Sequence, residues 1–220
     1  MQRTRAASRR SPLTPTVRHP GDPRLSEFSE SYHLRSADLD DGVTLLQRAG
    51  LPGFVFRPEA GWVTLLAPGP PFVPNLRLVQ ANPSLLLRYF FAEDHGWGFD
   101  VYRGAFRVAA FEVDWDAEAL VKHPCTPEAL ALLAPEAPLR QLREVSSLLN
   151  TDDLDQSLGD ENAELFATTV GLTRYGWLSY AYALKDRGDP LQAAAPVVEC
   201  VPRHPDDIDL PFKVRPSSRS

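Results

Sequence analysis

Between Leu85 and Trp115 large apolar side chains recur at alternate positions in three short runs, separated by two polar, glycine-bearing breaks. In the first run Leu85, Leu87, Tyr89 and Phe91 oppose Leu86, Arg88, Phe90 and Ala92. In the second, Trp97, Phe99 and Val101 oppose Gly98, Asp100 and Tyr102. Period-2 alternation of aromatic and β-branched residues suits a pleated surface, so the stretch predicts a three-stranded antiparallel meander. Glu93-Asp94-His95-Gly96 reads as one hairpin turn and Arg103-Gly104 as a tighter one. The third run places Phe106, Val108 and Ala110 on one face, then Phe111, Val113 and Trp115 on the other. Such a switch predicts a bulge or strong twist near Ala109-Ala110.

Upstream, Ser31 to Arg35 alternates like a strand. Leu39, Val43 and Leu46 then fall on one helical stripe between Asp38 and Ala49, with acids in the first turn and Gly50 at the C-cap position. Gly53 to Phe56 and Trp62 to Leu66 read as two strands joined by the turn Pro58-Glu59-Ala60-Gly61, and both Trp62 and Trp97 are expected in the core. A proline-stiffened crossing, Ala67 to Pro74, leads to a short helix at Asn75 to Ala81.

After Asp116 the period changes to that of helices. Pro127-Glu128 opens one that ends near Ala134. Pro138 opens another, with Leu139, Leu142, Val145 and Leu149 on its stripe. Glu161 to Val170 forms a third, ending at Gly171, and Thr173 caps a fourth that carries Trp177, Leu178, Tyr180, Ala181 and Leu184 before Gly188. Val197 to Val201 reads as an added edge strand.

The expected fold class is therefore α+β: a mainly antiparallel sheet in the order β-α-β-β-(α)-β-β-β with a helical C-terminal part packed on it. Residues 1–26 form a disordered basic tail. A single domain covers 27–200, sheet-rich over 27–116 and helical over 117–190 with the edge strand at 197–201, and 202–220 form a flexible tail.

Composition narrows the function class. At 220 residues, 43% hydrophobic and 24% charged, the chain can bury a full core. No run of 18 apolar residues is present, so no membrane span is expected. The N-terminal arginines have no apolar segment behind them, and Cys125 and Cys200 make no CxxC, which together predict a reduced cytoplasmic protein. The net charge of −6 hides an asymmetry. Residues 1–24 hold six arginines against Asp22 alone, leaving 17 basic and 28 acidic side chains, a net −11, on residues 25–220. A body that acidic repels a polyanion, so nucleic acid is not expected on it; contact through the arginine tail is the remaining nucleic-acid reading.

Candidate chemistry is sparse. Glu93, Asp94 and His95, with His33 brought in from elsewhere, are the side chains that could support acid/base work; the alternative is a solvated turn. His123-Pro124-Cys125 lacks a neighbouring oxyanion motif, and Asp152, Asp153 and Asp155 do not fit an EF-hand. GxGxxG, phosphate-loop, GxSxG and HExxH motifs are missing, so no cofactor or metal is predicted. Large amphipathic rings instead gather at Tyr175, Trp177, Tyr180 and Tyr182, which suits a binding patch or a helix docked on the sheet. The expectation is a non-enzymatic protein-interaction protein of the immunity, inhibitor or adaptor type, steered by its charge toward a basic protein partner. The alternatives are an enzyme with a carboxylate and histidine site, and nucleic-acid contact through the tail.

Overall fold

A computed structural model describes residues 28–93, 95–114, 119–123, 125–151, 160–185, 197–201 and 213–216. The tail 1–26, Asp94, Trp115 and the acidic runs at 152–155 and 206–209 lie outside the described residues.

Among the described residues fifteen elements follow one another: β1 (Phe28–Arg35), α1 (Leu39–Ala49), β2 (Gly53–Phe56), β3 (Trp62–Leu66), α2 (Leu76–Ala81), β4 (Leu85–Ala92), β5 (Gly96–Arg103), β6 (Phe106–Asp114), β7 (Ala119–His123), α3 (Pro127–Leu133), α4 (Leu139–Leu149), α5 (Asp160–Thr169), α6 (Tyr180–Lys185), β8 (Val197–Val201) and β9 (Lys213–Pro216). The strands make one nine-stranded sheet in the order β7-β6-β5-β4-β1-β3-β2-β8-β9. Every neighbouring pair is antiparallel. The fold is α+β with a mainly antiparallel sheet, and helices cover both faces of it.

Local chemistry explains the element ends. The Asp38 carboxylate accepts from Asp40 N at the start of α1, and Gly50 closes the helix in the left-handed region at φ 59°. Asn75 caps α2 by accepting from Arg77 N and Leu78 N, and Thr126 caps α3 through Ala129 N. Within α1, Gly42 faces the sheet so closely that a Cβ there would stand 2.6 Å from a Val63 methyl. That contact sets how near α1 lies to β3.

Alternation divides the core in two. On one face Leu87, Tyr89, Trp97, Phe99, Val101, Phe111 and Val113 meet α3, α4 and α5 through Leu130, Leu142, Val145 and Phe166. The rings of Phe99 and Phe166 stack at 3.9 Å between centroids, locking α5 to β5. On the other face Tyr32, Leu34, Val55, Val63, Leu65 and Leu86 meet α1 and α2. Burial of each such large side chain stabilises by roughly 1.5–3 kcal/mol.

Four features depart from the sequence reading. Ala119–His123, placed in the helical part, is a strand on the outer side of β6; its short Ala-Leu-Val-Lys-His run offered no clear period. Lys213–Pro216, assigned to a flexible tail, pairs with β8, so β8 is flanked on both sides instead of ending the sheet. The expected bulge forms beside Ala109, at Val108, where β6 shifts register against Val101 and Tyr102, but the residues before it turn outward: Phe106 and Val108 are exposed. Thr173 caps no helix. The chain stays irregular through Leu178, with Trp177 in the left-handed region at φ 52°, and α6 begins only at Tyr180.

Candidate functional site

On the α1/α2 face the register sets Tyr32, Arg88, Asp100 and Ala110 in one row across β1, β4, β5 and β6, with Glu30, Phe90, Gly98 and Glu112 in the next. Arg88 is 1% exposed. Its Nε donates to Glu30 Oε1 at 2.8 Å and its Nη1 to Asp100 Oδ2 at 3.1 Å. Arg107 Nη1 donates to the other Asp100 oxygen at 3.3 Å. The Arg88 guanidinium also lies 4.5 Å from the centre of the Phe90 ring. Its Nη2 is buried and has no hydrogen-bond partner among the described residues.

The electrostatics follow from burial. Desolvation disfavours the charged form of Arg88, but Glu30, Tyr32 and Asp100 together outweigh it and hold the guanidinium charged. Glu30 has one cation beside it and faces Asp100, so burial wins and raises its pKa despite Arg88. Burial, then Glu30, pushes the Tyr32 phenol up to about 12. Burial, then Asp100, does the same to Tyr102. Both phenols stay protonated at neutral pH, and the ion pairs hold charge between the strands.

The proline-rich crossing lies against this network. Phe72 sits in the left-handed region at φ 62° and meets Phe28 and Phe90 edge-on, each at 5.6 Å. A small cavity of about 150 Å³ opens there, lined by Phe72, Phe90, His95, Gly96, Glu112, Val113 and Asp114. Burial raises the pKa of Glu112. Drug-sized ligands occupy clefts of roughly 300–1,000 Å³, so this one suits only a few atoms.

The sequence-derived candidates scatter. His95 lines the cavity, Glu93 is exposed beside it, and Asp94 lies outside the described residues. His33 is fully buried on the opposite face, bonded to Ser31 Oγ at 2.9 Å and Thr64 Oγ1 at 3.2 Å. Burial pushes it down to about 3, so it is neutral. His33 therefore does not join His95. The thiols are also separated, Cys125 in one core and Cys200 in the other, and burial pushes them up to about 12 and about 11. Among the described residues no three His, Cys, Asp or Glu side chains gather to hold a metal, and no helix is long and apolar enough to cross a membrane.

The four aromatic candidates are half-buried and do not share one helical face. Tyr175 meets Tyr89 edge-on at 5.7 Å, Tyr180 meets Phe54 at 5.6 Å, and Trp177 stacks with Tyr182 at 6.4 Å. Thr173 instead donates to Glu59, to which Arg174 also bonds.

Sequence reasoning missed the outer side of β6. β7 pairs with it only from Ala110 to Asp114, so no described strand lies beside Phe106–Ala109. In that gap Phe106 is 79% and Val108 45% exposed. The missed signal is the alternation break itself: apolar residues on both sides of a bulge cannot all face one core.

No protein family, curated protein or solved structure matches this chain. The reading of function therefore rests on these residues. Chemically they offer a buried ionic brace, a few-atom cavity and an apolar length of β6 that no described strand flanks.

Proposed function

We propose that this is a cytoplasmic protein-interaction protein, of the inhibitor or adaptor type, that works by contact and not by chemistry of its own. The carrying observation is the part of β6 beside which no described strand lies, where Phe106 and Val108 hold apolar surface in water. Exposed apolar surface of this kind is an aggregation hazard unless a partner covers it in use. The ionic brace of Arg88, Glu30 and Asp100 supports the reading by pinning β4 to β5 just inside that strand. Trp177 and Tyr182 supply a second amphipathic ledge. The acidic balance of residues 25–220 gives long-range steering of a whole partner, while Phe106 and Val108 decide contact.

The test is affinity capture and crosslinking at moderate salt with the wild-type chain and with Phe106→Asp. Wild type is expected to retain a defined protein that Phe106→Asp loses while melting at the same temperature. Retention of nothing by wild type, or equal retention by both, overturns the proposal.

A further inference from the structure

The cavity beside Phe72 has walls of two kinds, aromatic and acidic, and register explains how they meet. Phe90 on β4 is the partner of Gly98 on β5, and Gly98 is in turn the partner of Glu112 on β6. A Cβ at Gly98 would stand 2.6 Å from the Phe90 ring, so the absent side chain lets that ring lie across β5. Phe90 and Glu112, two strands apart, therefore wall the same space. Phe72 closes it from the proline-rich crossing. Its backbone sits in the left-handed region that side chains ordinarily avoid, and ring contacts to Phe28, Phe90 and His95 hold it there. Glu112 is half-buried, and its carboxylate has no hydrogen bond or ion pair among the described residues. The nearby cation Arg88 is already bonded to Glu30 and Asp100.

We propose that this cavity receives the guanidinium group of an arginine on the partner protein, forked on the Glu112 carboxylate and flanked by the rings of Phe72 and Phe90. The inference rests on the contact reading above and names what the partner brings. An anion would meet Glu112, and a neutral apolar guest would strip that carboxylate of water without replacing it. A cavity of about 150 Å³ holds a guest the size of benzene, and a guanidinium with its adjoining methylene is no larger. An ammonium keeps its water more tightly, whereas a planar guanidinium stacks on rings and forks a carboxylate. The fold already uses this chemistry once, with Arg88 lying 4.5 Å from the centre of the Phe90 ring between two carboxylates. The net −11 of residues 25–220 steers a basic partner toward it.

The experiment follows the backbone amide NMR signals of the full chain during titration with three capped peptides, each with one central residue between glycines: arginine, lysine or the neutral isostere citrulline. The arginine peptide is expected to shift Gly96, Glu112 and Val113 saturably at millimolar concentration. Glu112→Gln is expected to weaken it about tenfold, the scale of a charge-assisted hydrogen bond. Phe72→Leu is expected to weaken it about threefold, the scale of a cation over a ring. Equal binding of the citrulline or lysine peptide, saturable shifts located elsewhere, no saturable shift, or indifference to Glu112→Gln overturns the proposal. A captured partner that Glu112→Gln retains as well as wild type also overturns it. If Phe106→Asp loses a partner that wild type captures while no peptide binds, contact stands and the guanidinium site fails. If wild type captures nothing while the arginine peptide fills the cavity, the contact reading fails. The guest is then a free guanidine compound, and its assignment to a partner's arginine is overturned.

Discussion

Arg88 and Asp100 are direct cross-strand partners on β4 and β5, and Nη1 of one lies 3.1 Å from a carboxylate oxygen of the other inside the fold. Charge in that position must be matched, because an unpaired buried ion costs several kcal/mol. Glu30 and Arg107 complete the match from the neighbouring strands. The brace explains how β4 and β5 tolerate polar residues at inward positions.

Removing one member should cost more than removing the pair. Arg88→Met leaves Glu30 without its cation and Asp100 without Arg88, with Arg107 still bonded to it, and is expected to destabilise by about 3–5 kcal/mol. Arg88→Met with Asp100→Leu is expected to recover part of that loss. Urea unfolding of both variants measures it; equal losses would mean the pair contributes nothing jointly.

His33 predicts a specific acid sensitivity. Its folded pKa is depressed to about 3, below the unfolded value near 6.5, so the unfolded chain takes up a proton that the folded chain refuses. Its contribution is fully present above pH 6.5 and is lost as pH falls toward 3, at roughly 1.4 kcal/mol per pH unit. His33→Gln is expected to flatten the pH dependence of the urea midpoint across that window relative to wild type. Parallel curves would refute the assignment.

Glu112 carries the opposite sign. Burial raises its folded pKa, so folding is favoured below the unfolded carboxyl range and penalised as pH rises through the raised value. Glu112→Gln is expected to gain on wild type between pH 4 and pH 8, by less than about 1 kcal/mol for a half-exposed group. A gap that stays constant with pH would show that desolvation there is unimportant.

Two glycines separate backbone need from mere looseness. At Gly96, φ is 138° and an added Cβ would fall 1.9 Å from the Val113 carbonyl oxygen, whereas Gly69 has nothing within 4 Å. Gly96→Ala is expected to lose more than about 2 kcal/mol, and Gly69→Ala to change stability by less than about 0.5 kcal/mol. Thermal melting of the two compares them directly.

Phe166→Ala should loosen α5 alone among the helices. Its ring stacks on Phe99 at 3.9 Å, and truncation leaves a cavity costing about 3–5 kcal/mol. Hydrogen exchange is expected to rise in α5 before it rises in α1, which packs on the other face. A uniform rise would place both helices in one cooperative unit.

The chain by itself determined the strands β1 to β6, the Gly50 end of α1 and the α+β class, because alternation and a helix-ending glycine are local signals whose meaning needs no distant partner. Only tertiary structure decided that Arg88 meets Glu30 and Asp100, that His33 and His95 stand apart, and that Thr173 bonds to Glu59 instead of starting a helix. It also decided that β7 stops short of Phe106. Those outcomes depend on which strands become neighbours and in what register, and a register is fixed by packing across the whole sheet, not by the residues of any one strand.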